Sequence, residues 1–231
     1  MARRRARVRD GRRALLWASG ATLLLWFAPY AEVIVYPVRL FVTLVHESAH
    51  ALAAVMTGGS VAYIQIQPDG SGVTATRGGL VPLISSAGYV GTILYGGALL
   101  LWCRDPRRAK GALGATALGV TAVTLAFIRP AIGFGFVVGA IASALFGILF
   151  WVISARAAQF LVGFLAVQSC LNALFDLKVL FALSIVGEAH TDARAMQELT
   201  RIPALAWALL WSGVSLAVLV LIARAYRRTP G

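Results

Sequence analysis

Apolar residues in this chain are gathered into blocks about as long as a membrane is thick, and that pattern limits the fold more than any other feature. A helix that crosses the hydrocarbon core needs roughly 20 apolar residues at about 1.5 Å of rise each. Blocks of this kind lie at about 14–36, 38–57, 82–102, 111–128, 131–153, 157–184 and 204–223. Those at 14–36 and 111–128 are the weakest, being short or rich in Gly and Thr. Composition agrees: 59% of residues are hydrophobic, 13% are charged and the mean hydropathy is +0.80, against about 25% charged residues in a soluble domain. The expected fold is an all-α polytopic membrane protein with about six or seven transmembrane helices, which excludes a soluble globular enzyme.

The net charge is +12, and seven arginines fall in the first 13 residues. A nucleic-acid arm is one reading of such a cluster. It abuts an apolar block, however, where cytoplasmic anchoring charge belongs. Residues 1–13 are therefore expected to be a basic cytoplasmic tail, with no nucleic acid as partner. Residues 14–28 could serve as a signal-peptide core, but "APYA" is a poor cleavage site, so an uncleaved anchor is expected. Residues 14–223 read as one multi-pass integral-membrane domain, and 224–231 as a basic C-terminal tail. With the N-terminus inside, the segments 58–80 and 185–203 fall inside too. "RDPRR" (104–108) and the C-terminal arginines then fall outside, against the charge bias, so one block is re-entrant or miscounted. Cys103 and Cys170 lie in or beside apolar blocks and suggest neither a disulfide framework nor a cysteine zinc site.

Residues 58–80 break the apolar pattern. "VAYIQIQ" alternates, "PDGSG" signals a turn, "VTAT" is β-branched, and glycine pairs at 58–59 and 78–79 bracket the whole. A short β-ribbon is expected here. Open strand edges do not survive facing lipid, so the ribbon sits at the interface, in a protein-lined wet cavity, or as an ordinary solvent-side hairpin. "SSAGYVG" follows: Ser85, Ser86, Ala87, Gly88 and Gly91 form a small-residue face. Such a face serves close helix packing and would also suit a helix pressed against a metal site.

One apolar block carries chemistry. "LFVTLVHESAHALAAVMTGG" (40–59) holds His46, Glu47 and His50 among Leu, Val, Ala and Met. Ionisable groups in apolar surroundings are costly unless something pairs with them. "HESAH" is H-E-x-x-H, and residues four apart share a helix face. His46 and His50 can both point an imidazole nitrogen at one Zn²⁺, while Glu47 can reach a metal-bound water without being a ligand. The chain has only three histidines, and two fall in this pattern.

A catalytic zinc needs a third protein ligand and an open position. Asp176, in "CLNALFDLKVLF", matches His50 in distance from its helix end and would be expensive in a membrane without a cation. Asn172 lies four residues earlier on the same face and could help stabilise an oxyanion. Asp192, in "AHTDARAM", is the alternative ligand, although it could instead cap the following helix. His190, in a polar loop, is a poorer candidate.

These residues resemble the site-2-protease class of intramembrane zinc metallopeptidases, in particular its small bacterial and plant branch that lacks a PDZ domain. The likeness is carried by "HESAHALAAVMTGGSV", the ribbon "YIQIQPDGSG", the opening "SSAGYVG", and "NALFD...HTDARAM...LTRIP...W", over about 38–100 and 168–211. It implies zinc held by two His and one Asp, with Glu47 acting on the water. It also implies a substrate that is itself a transmembrane segment of a membrane protein. The wider class carries its third ligand in an Asn, Pro and Leu-Asp-Gly arrangement. Here no proline closely follows Asn172, and neither Asp176 nor Asp192 precedes a glycine; alignment with Leu-Asp-Gly favours Asp192, depth favours Asp176. "SAGYVG" also stands where the class has Ala-Gly-Pro. Two alternatives lack proteolysis: a metal sensor or carrier, and an inactive pseudoprotease. In a third, a scaffolding membrane protein, the motif is coincidental. Recognition of the substrate is expected in the membrane or the ribbon.

Overall fold

The structure, a computed structural model, describes residues 16–17, 19–20, 31–186 and 191–227, with side chains described for all of these except 31, 32, 34, 172–186 and 227. Helix α1 spans Ala31–Met56, followed by strands β1, Ser60–Ile66, and β2, Gly72–Arg77. Helices α2, Val81–Trp102, α3, Pro106–Phe127, α4, Phe134–Val152, and α5, Ala155–Val186, come next. A short α6, Asp192–Thr200, precedes α7, Ala204–Arg227. Among the described residues, five helices are long and apolar enough to cross a membrane, and the apolar part of a sixth, Ala155–Leu171, is shorter. The chain is an all-α polytopic membrane protein with a two-stranded ribbon after the histidine helix.

The helix boundaries follow the apolar blocks closely, with one difference. Sequence reading placed a break at Pro37, between the blocks 14–36 and 38–57. Instead α1 begins at Ala31 and passes through Pro37. Proline removes one backbone donor but otherwise fits a helical φ, and this one sits in the second turn, where little of the helix is interrupted. The rest of the 14–36 block lies largely outside the described residues.

α2 is the hub of the bundle: α1, α5, α6 and α7 all pack against it. Glycines make those approaches possible. A Cβ at Gly91 would lie 2.6 Å from Ala49 on α1. One at Gly96 would lie 2.8 Å from Cys170 Sγ and 3.0 Å from the Ala166 carbonyl on α5. One at Gly97 would run into Ile222 on α7. Helices in lipid gain little from hydrophobic burial against each other, so this close backbone approach supplies much of the packing.

α1 ends in a Schellman motif. Gly58 adopts φ +82°, its N–H bonds to Val55 O, and Gly59 N–H reaches back to Ala54 O at 2.8 Å. This turns the chain back so that the ribbon runs alongside α1 rather than away from it. β1 and β2 pair antiparallel from Ser60↔Arg77 to Ile66↔Gly72, with an irregularity between Val61 and Tyr63. The turn is tied by Gly70 N to Gln67 O and by Asp69 Oδ1, which accepts from Ser71 N and Oγ. It docks beside the early turns of α1: Tyr36 hydroxyl donates to Pro68 O and Thr43 hydroxyl to Gly70 O. Ile64 and Ile66 enter the main core.

Gly96 therefore tests the packing. Gly96→Ala is expected to destabilise the protein by about 1–3 kcal/mol through overpacking. Gly111→Ala, with nothing within 4 Å of its Cβ position, should leave the thermal midpoint in detergent unchanged or raised. Equal midpoints for the two variants would dismiss the close α2–α5 approach.

Candidate metal centre

The Val35–Met56 part of α1 is a candidate membrane span, and His46 lies midway along it. One helical turn later comes His50, on the same face. The His50 Nδ1–H donates to Ile84 O at 2.6 Å, which leaves its Nε2 free to bind a metal. Both imidazoles point into the gap between α1 and the first turns of α2.

Asp192 closes that gap from a third element. Its Oδ2 lies 3.4 Å from His50 Nε2 and 3.7 Å from His46 Nε2. A tetrahedral zinc with bonds of about 2.0–2.1 Å sets its ligand atoms about 3.4 Å apart. The ligand atoms of His46, His50 and Asp192 all lie within 4.8 Å of one another and could hold one ion. Gly88 keeps the space between them clear, because a Cβ there would collide with Nε2 of both histidines. The donor set, its spacing and this clearance fit a divalent metal. Burial alone pushes the Asp192 carboxyl up, but the two imidazoles pull it net below the ordinary carboxylate range.

Thr191, not Asp192, caps α6: its side chain accepts from Arg194 N–H. The capping role considered for Asp192 thus falls to its neighbour, and the carboxylate is left to face the histidines. α6 is held in place by a small second core, in which Ala193 and Met196 are wholly buried against Tyr89, Ala204, Ala208 and Trp211. Trp211 stacks on Tyr89 and donates to Ser86, and Trp207 donates to Thr200. Tyr89 in turn meets the His46 ring edge-on at 4.9 Å.

Glu47 is buried beside the cluster. Its Oε2 accepts from the Thr74 hydroxyl at 2.7 Å. These groups line a cleft of about 560 Å³ between α1, α2, β2 and α6, with Arg39, Arg194 and Glu198 also on its walls. Asn172 and Asp176 lie on α5, but their side chains are outside the described residues, as is His190.

A family model described as Peptidase M50B-like matches residues 17–222. The chain belongs to that family, the site-2 proteases. No curated protein and no solved structure matches it significantly. This M50B-like chain is thus a multi-pass membrane protein of a metallopeptidase family, with a His46, His50 and Asp192 group able to take a metal.

Sequence reasoning named the two histidines, Glu47 and both aspartates, and it named Gly88 as part of a small-residue face. It gave no site role to Thr74, Tyr89 or Trp211. Trp207 and Trp211 were open to notice, being four apart on one helix face; Thr74 gave no signal, because nothing local reveals which strand residue faces Glu47. Gly88→Ala in this M50B-like peptidase is expected to abolish stoichiometric metal binding while helical content stays unchanged. Metal analysis alongside circular dichroism reads both, and full metal occupancy in the variant would refute the assigned clearance.

Proposed function

We propose that this chain is an intramembrane zinc metalloprotease that cuts a peptide bond in or near a transmembrane segment of another membrane protein. The observation that carries the reading is the approach of Asp192 Oδ2 to both imidazole nitrogens at 3.4 and 3.7 Å, beside a buried glutamate. His46, His50 and Asp192 would hold the metal. Asp192 is preferred to Asp176 on that approach and on its alignment with the Leu-Asp-Gly arrangement of the wider class.

A zinc ion held there supplies a water of lowered pKa and polarises the scissile carbonyl. Glu47 takes the proton of the attacking water and later hands it to the leaving amine. Asn172 is the proposed side-chain donor to the oxyanion. A helical substrate hides its peptide bonds in its own hydrogen-bond ladder, so it must unwind before cleavage. β1 already has a partner on its outer side, where Arg129 N–H bonds to Ile64 O and Ile128 bridges Ile64. β2 has no second strand among the described residues, and Gly72–Thr74 and Thr76 line the cleft. An unwound substrate stretch would add to that edge as a strand.

The purified protein should carry about one zinc per chain. His46→Ala and Asp192→Asn are expected to lose it, and Asp176→Asn to keep it. Glu47→Gln should retain zinc and lose about 10²- to 10⁴-fold in cleavage of a transmembrane reporter. Undiminished cleavage by Glu47→Gln would sink the protease mechanism. Zinc loss in Asp176→Asn, with retention in Asp192→Asn, would move the third ligand to Asp176.

A further inference from the structure

The ribbon touches the chemistry at one point besides its open edge. Thr74, in the middle of β2, places its hydroxyl 2.7 Å from Glu47 Oε2 and 3.1 Å from the Glu47 carbonyl oxygen. Two residues earlier, a Cβ at Gly72 would lie 2.7 Å from Glu47 Oε1 and Cγ and 2.8 Å from Thr43 Cγ2. The glutamate side chain is thus held between helix and strand, with one carboxylate oxygen taken by a hydroxyl and the other running beside a bare glycine. A free glutamate is loose about its last torsion, which has broad, two-fold wells. A general base must instead present one oxygen to the proton it takes.

We propose that Thr74 is the positioning residue of Glu47, setting from the ribbon which carboxylate oxygen serves as base. The inference rests on the role of Glu47 given under the proposed function. Thr74 donates to Oε2, so Oε1 is the atom that accepts the water's proton. That proton forms the Oε1–H bond as the water oxygen bonds to the scissile carbon. It leaves for the amine nitrogen as the C–N bond breaks, and the carboxylate is restored. Thr74 keeps its own proton throughout. Gly72 is part of the same device, because any side chain there would push Glu47 off this position. The strand that offers its edge to substrate therefore also aims the base.

The test compares Thr74→Val and Thr74→Ser in the full chain, with kcat and KM on a transmembrane reporter and zinc content measured together. Thr74→Val is nearly isosteric but cannot donate. It is expected to lower kcat by about 10- to 100-fold, the worth of a hydrogen bond to a charged group, with KM and zinc content unchanged. Thr74→Ser restores the donor and should recover most of kcat. Parental kcat in Thr74→Val overturns the inference, as does a rise in KM at constant kcat. A Thr74→Ser variant as slow as Thr74→Val overturns it too, since that marks a packing role. Glu47→Gln is run beside them. If it cleaves normally, the base assignment itself fails; if it is inactive while Thr74→Val is normal, only the positioning role falls.

Discussion

Two imidazoles and a carboxylate meet within a bundle whose long helices are mostly apolar, and the architecture around them follows from the need to make that meeting affordable. An isolated charge in such surroundings costs several kcal/mol, and a pair recovers that cost only with good geometry and satisfied remaining lone pairs. Here His50 is fixed by Ile84 O, Asp192 faces both Nε2 atoms, and Glu47 is bonded to Thr74. A divalent ion among them would match the donor set. His46 and His50 are brought together by α1 itself, whereas Asp192 reaches them across a gap that Gly88 keeps clear, beside an α2 packed closely on α1 at Gly91.

The ribbon solves a second problem. Backbone donors and acceptors cannot be left facing lipid, yet this hairpin lies along α1 from its end back to the level of Tyr36 and Thr43. β1 is covered on its outer side by Ile128 and Arg129, and β2 borders the polar cleft. Irregular or open backbone at membrane depth is tolerated where it lines a protein-walled cavity, and Gly72–Thr74 and Thr76 of β2 do line the cleft.

α6 has the opposite character, being short and polar. Its placement depends on Ala193 and Met196 sinking into the Tyr89 and Trp211 core, and on Gln197 and Thr200 bonding to the start of α7. A carboxylate supplied by so short an element is as well placed as its clamp, so the aromatic pair of Tyr89 and Trp211 is as much part of the site as the His46, His50 and Asp192 cluster. The same dependence makes the site a product of three separate segments, at 46–50, 88–89 and 192.

The apolar blocks by themselves determined the long helices and, apart from the start of α1, their approximate limits, because a span must reach its length from contiguous apolar residues whatever its neighbours are. The H-E-x-x-H spacing likewise determined that His46 and His50 share a face, since helical periodicity is local. The ribbon was legible for the same reason, its turn and alternation being written in adjacent residues. Only the tertiary structure decided that Asp192 faces the histidines and that Thr191 takes over the cap. The same holds for Thr74 reaching Glu47. Each of these depends on how one element is seated against another, and the packing that seats them is set by contacts between residues far apart in the chain.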